Sequence, residues 1–139
     1  MEKGILTIGK RKNGNRYKYF YRLDYLRSKE KSKTILQNLP DNTEVYISTI
    51  TLFELYMGAT NEKKWNDVKN LTIDIPELSF SKAVSEKSAI IYHELRKENK
   101  LIDFRDIFIA ATSLVFNLPI LTLNKKHFAR IKGLEIIDV

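Results

Sequence analysis

The sequence predicts a layered α/β domain with a mostly parallel sheet flanked by helices. Short β-prone segments alternate with helical patterns from residue 44 to residue 139, an order typical of parallel sheets with helical connections. The apolar segment PILTL at residues 119–123 is typical of a strand that is buried on both faces. Because the chain has 139 residues, we expect one domain with a single core.

The predicted strands are short runs rich in β-branched, aromatic and other apolar residues. They are EVYIS at residues 44–48, LTIDIP at 71–76, PILTL at 119–123 and EIIDV at 135–139. The strand over 71–76 is expected to close at Pro76, because proline has no N–H to donate. The aromatic segment YKYFY at residues 17–21 is also β-prone, although its residues do not alternate cleanly.

The predicted helices have apolar residues at a spacing near 3.6 and end close to Gly, Pro or polar residues. They cover residues 24–39, 49–59, 62–70, 81–99 and 103–116, and a short helical turn follows Asn124. The buried side of the helix over 81–99 is expected to carry Ala83, Ala89, Ile90 and Leu95. The helix over 103–116 is almost wholly apolar after its first turn, so we expect it to be the more deeply buried of the two.

Composition excludes several kinds of site and narrows the expected location. The chain has no cysteine, which excludes disulfides, zinc–thiolate sites and cysteine nucleophiles and fits a reducing compartment. No apolar run reaches the length of a membrane span, and the first residues lack the apolar stretch of a signal peptide. We therefore expect a cytoplasmic protein with no membrane partner.

The formal charge of +7 belongs to one end of the chain. Residues 1–34 hold 11 Lys or Arg and 3 Asp or Glu, whereas residues 35–139 hold 13 and 14. The body of the domain is therefore close to neutral. A basic N-terminal arm can bind phosphates electrostatically, but a solvated tail is the favoured interpretation.

Three acidic residues are candidates for a site. Glu54 lies in an otherwise apolar helical segment, between Phe53 and Leu55, where it either faces solvent or serves a site. Asp103 suits an N-cap, and Asp106 suits the first turn of the same helix, where the helix dipole favours negative charge. On so apolar a helix a carboxylate needs a partner, because burying an unpaired charge is costly. A divalent cation is one such partner.

Two polar residues follow the apolar strand at 119–123. Asn124 either caps the next helical turn or supplies a neutral oxygen ligand at the carboxyl end of a strand, where parallel sheets bind ligands. His127 is interpreted as a surface residue of that turn. With no cysteine and two histidines, zinc is disfavoured. Carboxylates clustered at one edge of the sheet instead favour Mg²⁺ or Mn²⁺. These ions take oxygen ligands and can activate water for phosphodiester cleavage.

The most specific patterns are ISTITLFELYMGA at residues 47–59 and LIDFRDIFIAATSLVFNLPILTLNKKHFARIKGLEIIDV at residues 101–139. They resemble the strand-then-helix block and the C-terminal half of VapC-type toxins, which belong to the PIN-domain ribonucleases of type II toxin–antitoxin systems. The resemblance covers about residues 24–139. It implies a PIN-like three-layer fold with a mostly parallel central sheet flanked by helices.

The resemblance also implies a function: an Mg²⁺- or Mn²⁺-dependent endoribonuclease that cleaves RNA phosphodiesters with a metal-activated water. In that role Glu54 and Asp106 would be catalytic and bind the metal, and Asp103 and Asn124 would support them as ligands. His127 stands where many relatives carry a further acid. The implied partners are an RNA substrate, a cognate antitoxin and a second copy of the chain in a homodimer.

The N-terminal segment departs from the family's pattern. The family has an aspartate at the end of its first strand, and here that position falls near Lys18, whose ammonium cannot ligate Mg²⁺. Residues 13–22, NGNRYKYFYR, can be back-translated with AT-rich codons and read one base later, with the first base of the Leu23 codon, to give Met-Glu-Ile-Asp-Thr-Asn-Ile-Phe-Ile-Asp. This product contains Asp-Thr-Asn-Ile, a motif that carries the first-strand aspartate in the family. We therefore interpret residues 1–22 as an aberrant, frameshifted segment and residues 23–139 as the PIN-like domain.

Three hypotheses remain open for the chain as it stands. It is an endoribonuclease impaired by loss of the strand-1 aspartate, a catalytically inactive PIN-like protein that binds antitoxin or RNA, or the product of a degraded gene, without function. The first strand of a parallel sheet is usually central, so its replacement should cost stability. The segment YKYFYRL at residues 17–23 could still pair as a strand, because its aromatic residues are β-prone.

Overall fold

A computed structural model describes residues 6–7, 17–20, 43–122 and 125–137. Its strands are β1 (Leu6–Thr7), β2 (Tyr17–Phe20), β3 (Thr43–Ser48), β4 (Glu77–Leu78), β5 (Ile120–Leu121) and β6 (Ile136–Ile137). Its helices are α1 (Thr49–Met57), α2 (Glu62–Thr72), α3 (Lys82–Lys97), α4 (Phe104–Val115) and α5 (Lys125–Phe128). The predicted helix over 24–39 lies outside the described residues.

Strand β3 is the centre of the larger sheet. It pairs in parallel with β2, where Phe20 lies opposite Tyr46, and in parallel with β4, where Glu77 lies opposite Ile47. It pairs antiparallel with β1, and β5 and β6 form a separate parallel ladder. Three of the four strand pairings in the described ranges are therefore parallel, which confirms the predicted fold class. The pairing of β2 also confirms that the aromatic N-terminal segment forms a strand.

Strand β3 runs directly into α1 without a loop. Ser48 has an extended backbone and caps the helix, since its Oγ accepts a hydrogen bond of 3.0 Å from the Thr51 N–H. The same hydroxyl donates to Thr51 Oγ1 at 3.1 Å. Gly58 ends the helix, and its N–H donates to the Glu54 carbonyl at 3.2 Å. Because both ends are capped, the second turn of α1 is held rigidly beyond the carboxyl end of β3.

The predicted strand over 71–76 is wrong. Helix α2 continues through Thr72, whose Oγ1 donates at 2.8 Å to the carbonyl one turn earlier. The alternating apolar residues do not mark a buried face, since Ile73 is 68% exposed. The pairing with β3 begins only at Pro76, whose carbonyl accepts a hydrogen bond of 3.0 Å from the Ile47 N–H. Strand β4 follows directly and pairs with β3.

The predicted buried side of α3 is also largely wrong. Ala83, Ala89 and Ile90 are exposed, and Leu95 is buried as expected. The buried residues recur at helical spacing and are Val84, Ser88, Ile91 and Leu95. Ser88 can occupy this face because its Oγ donates to the Val84 carbonyl at 2.7 Å, which satisfies the hydroxyl without water.

The core lies between α3, α4 and the β5–β6 ladder. Helix α4 buries most of its length, as predicted, and its two alanines allow close approach of its neighbours. The core residues are Val84, Ile91, Leu95, Ile102, Ile107, Ile109, Ala110, Ala111, Ile120, Phe128 and Ile131. Among the described ranges, none of the helices combines the length and apolar character that a bilayer-spanning segment requires.

Candidate metal centre

Glu54 is one of the most deeply buried polar residues of the described chain. It lies on the inner side of α1 with 1% of its surface exposed, beside the buried residues Thr51 and Leu55. The alternative of a solvent-facing glutamate is therefore wrong. A carboxylate held so far from water requires a charged or polar partner, because an isolated buried charge is strongly unfavourable.

The start of α4 places its two aspartates in different environments. Asp103 is the N-cap, as predicted, and its Oδ1 accepts a hydrogen bond of 2.8 Å from the Arg105 N–H. Its side chain is 38% exposed. Asp106 lies in the first turn and is 0% exposed. One short segment thus supplies a carboxylate at the rim of the cluster and another in its interior.

Arg105 connects the acids of the two helices. Its Nε lies 3.3 Å from Asp103 Oδ1, and its Nη1 lies 3.5 Å from Glu54 Oε2. The pKa of Arg105 is raised, first by the hydrogen bond with Asp103 and further by the charges of Asp103, Glu54 and Asp106, while burial acts against the rise. Because the folded-state pKa of a base is raised, this stabilisation is fully present throughout the neutral pH range.

His127 lies on the other side of Asp106. Its Nδ1 is 3.8 Å from Asp106 Oδ2, and its side chain is 29% exposed. The surface interpretation is therefore only partly right, because the imidazole borders the acidic cluster. Asn124, predicted as a further oxygen ligand, lies outside the described residues.

The cluster has the donor chemistry that Mg²⁺ and Mn²⁺ prefer. Three carboxylates and one guanidinium give a formal charge of −2, which a divalent cation would neutralise. The predicted set of ligands is nevertheless not assembled in the ranges that the structure describes, since no three Asp, Glu, His or Cys residues there are grouped so that they could hold a metal ion. Asp103 Oδ1 contacts the backbone N–H and the Nε of Arg105 at the exposed rim of the cluster. The two buried acids in the described part of the chain are Glu54 and Asp106.

Sequence reasoning missed Arg105. A signal for it was present, since a cation in the first turn of a helix opposes the helix dipole and is unfavourable there unless acids surround it. His127 carried a weaker signal, because a histidine at the third position of α5 has no distinctive spacing from Asp103 and Asp106.

The fold and this cluster define an α/β domain with buried acids on two neighbouring helices beside a mostly parallel sheet. The sequence model of the PIN domain matches residues 23–134. Ribonuclease VapC1 of Methanocaldococcus jannaschii is 39% identical over 98 residues, which are 66% of this chain and 69% of that protein. Ribonuclease VapC of Rickettsia bellii is 34% identical over 120 residues, or 79% of this chain and 87% of the relative. The chain belongs to the PIN domain family, as a VapC-type protein.

Solved structures share the fold. VapBC-1 from nontypeable Haemophilus influenzae superposes with a TM-score of 0.71 and 25% identity over 84% of this chain and 90% of that chain. VapBC2 from Rickettsia felis, bound to a DNA fragment from its promoter, has a TM-score of 0.71 at 24% identity and covers 84% and 92%. A toxin–antitoxin complex from Klebsiella pneumoniae has a TM-score of 0.63 at 27% identity and covers 84% and 89%.

Proposed function

We propose that this chain is a VapC-type endoribonuclease whose Mg²⁺- or Mn²⁺-dependent cleavage of RNA is impaired by its N-terminal segment. The observation that carries the proposal is the burial of Glu54 and Asp106, from two different helices, around one partly exposed arginine. The names of the relatives, which are ribonucleases, support the reaction class.

Glu54 and Asp106 would hold the cation, with Asp103 at the rim and Asn124 as the further predicted ligand. A bound Mg²⁺ or Mn²⁺ would supply the Lewis acidity that activates water and stabilises negative charge on the cleaved phosphate. The capped start of α1 orients Glu54, and the capped start of α4 orients Asp106. Both carboxylates are therefore held on rigid elements, as a preorganised site requires.

RNA would approach the exposed side of the cluster, where Asp103, Arg105 and His127 are each partly accessible. The exposed Lys125 and Lys126 of α5 lie next to His127 in sequence and could contact phosphates. A single strand or loop is the expected substrate, because its backbone and bases are accessible. The expected location remains the cytoplasm, as the composition predicts.

The proposed loss of cleavage activity is attributed to strand β2, which replaces the family's first strand and lacks its aspartate. Strand β2 runs parallel to β3 and places Lys18, not an aspartate, opposite Glu44 in the register. The match to the family begins at residue 23, which is consistent with an out-of-frame segment before it. Sequencing the gene from the codon of Lys10 to that of Ser28 tests this part of the proposal. Codons for residues 13–22 that cannot encode Asp-Thr-Asn after a one-base shift would refute it.

Cleavage of single-stranded RNA tests the reaction. The chain with its first strand restored should cleave RNA in Mn²⁺ and not in EDTA, and the 139-residue chain should be much slower. Glu54→Gln and Asp106→Asn should each abolish cleavage, whereas Glu86→Gln, an exposed position on α3, should not. Undiminished cleavage by Asp106→Asn would rule out the assigned site.

The second candidate function is a catalytically inactive PIN-like protein that binds antitoxin or RNA. It is favoured by the missing strand-1 acid and predicts metal-independent binding without cleavage. Cleavage by the 139-residue chain that requires Mn²⁺ and is lost in Glu54→Gln would rule it out.

An antitoxin and a second copy of the chain are the proposed protein partners. Similar solved structures are toxin–antitoxin complexes, which supports an antitoxin. Helices α1 and α2 and the residue that follows α2 also expose large apolar side chains, namely Phe53, Met57, Trp65, Leu71 and Ile73. Phe53→Asp and Ile73→Asp should weaken binding of a cognate antitoxin in calorimetry, and light scattering of the purified chain should give the mass of a dimer. Full antitoxin affinity in both variants would exclude this surface.

A further inference from the structure

We propose that Arg105 is a displaceable counter-ion: it holds the Glu54 carboxylate in the cation-free protein and competes with a divalent cation for it. This inference deepens the proposed function and rests on the proposed metal centre. Arg105 is not among the residues that the sequence predicts as metal ligands.

The contact between Arg105 and Glu54 joins two helices. Arg105 Nη1 reaches from the first turn of α4 to Glu54 Oε2 on α1, at 3.5 Å. Glu54 is 1% exposed, so its carboxylate can be approached from few directions. A guanidinium at this distance occupies space beside the oxygen that a metal ion would need. Its charge would also repel a divalent cation bound to the same carboxylate.

A second anchor makes this counter-ion displaceable. Arg105 Nε also contacts Asp103 Oδ1 at 3.3 Å, on the exposed rim of the cluster. The arginine side chain is 33% exposed, so it can leave Glu54 and turn towards solvent while it keeps its contact with Asp103. Asp106 differs in this respect, since its charge acts on Arg105 less strongly than that of Glu54, and its Oδ2 lies 3.8 Å from His127 Nδ1. The arginine therefore acts on one interior acid more directly than on the other.

Substitution of Arg105 distinguishes competition with the metal ion for Glu54 from an ion pair that only stabilises the fold. Arg105→Gln should bind Mn²⁺ roughly tenfold more tightly than the unaltered chain, which corresponds to about 1.4 kcal/mol. Arg105→Lys keeps the charge but loses the forked geometry that spans two acids, so its affinity should fall between the two. Arg96→Gln is the matched control, because it removes the same charge at an exposed position whose described hydrogen bond is to Tyr92.

The experiment is a titration of each full-length protein with Mn²⁺, followed by electron paramagnetic resonance of the free ion, with thermal melts in EDTA. We expect tighter binding by Arg105→Gln, unchanged binding by Arg96→Gln, and a lower melting temperature in EDTA for Arg105→Gln alone. Equal or weaker binding by Arg105→Gln overturns the competition and leaves the proposed function intact. If neither Arg105→Gln nor the unaltered chain binds Mn²⁺, the metal centre itself is refuted, and the competition with it. If Arg105→Gln shows no cooperative melt, the Arg105→Lys titration decides in the same way.

Discussion

Replacing Glu54 and Arg105 by glutamine, singly and together, measures how strongly α1 and α4 are joined at the site. Two unit charges 3.5 Å apart attract by roughly 4–5 kcal/mol at an effective dielectric constant of ~20. Solvent reduces this value, because the arginine is 33% exposed, and fully exposed pairs retain about 0.2–1 kcal/mol. Since Glu54 is buried, we expect a coupling free energy of about 1–2 kcal/mol, between the exposed and the fully buried limits.

The assay is urea denaturation of the four proteins in EDTA, analysed as a double-mutant cycle. The coupling should fall in high salt, because the exposed side of the pair is screened. A parallel cycle between Glu54→Gln and Arg96→Gln serves as the control and should be additive. If the Glu54–Arg105 coupling lies within about 0.5 kcal/mol of zero, the guanidinium does not hold the carboxylate and the reasoning about this site is wrong.

Three further predictions test the supporting structure by urea denaturation. Asp103→Ala should lower the free energy of unfolding by about 1 kcal/mol, because α4 loses its N-cap, whereas Asp103→Asn keeps an acceptor and should cost less; equal losses would argue against capping. Ile109→Ala should cost about 2–5 kcal/mol because the side chain is fully buried, and Ile90→Ala, half exposed on α3, should cost less than about 1 kcal/mol. Gly133→Ala should cost about 1–2 kcal/mol, since the glycine has φ +78°; a neutral result would show that the turn relaxes.

The sequence predicted the parts of the fold in which local and tertiary signals agree. Helix α4 shows this, because its N-cap residue, its acidic first turn and its apolar body all indicate the same element. Strand β3 and helix α1 were likewise predictable, since Ser48 both ends the strand and caps the helix. The pairing of Glu54 with α4 was not, because it depends on how the two helices pack.

The wrong predictions came from segments whose apolar residues do not face the core. Residues 71–76 alternate like a strand, but the residues concerned are exposed or belong to the end of α2. In α3, a serine whose hydroxyl donates to the Val84 carbonyl occupies the core face, while Ile90 faces solvent. Hydrophobicity alone does not predict which face of α3 is buried. Ser88 can be buried because its hydroxyl makes a local hydrogen bond, which the sequence pattern does not show.

The candidate site was predicted in its acids and missed in its cations. Glu54 and Asp106 are buried, and Asp103 caps α4. Their role as metal ligands stays a prediction, as does that of Asn124. The contact of Arg105 with Glu54 could be assigned only from the structure, because it depends on the packing of α1 against α4.

The central claim is that Glu54 and Asp106 together bind a divalent cation. Crystals of the chain soaked in Mn²⁺ and measured for anomalous scattering would test it directly. The account predicts one strong anomalous peak within bonding distance of both carboxylates, with the Arg105 guanidinium turned away from Glu54 towards Asp103. No peak between the two carboxylates at saturating Mn²⁺, with Arg105 still in contact with Glu54, would contradict it.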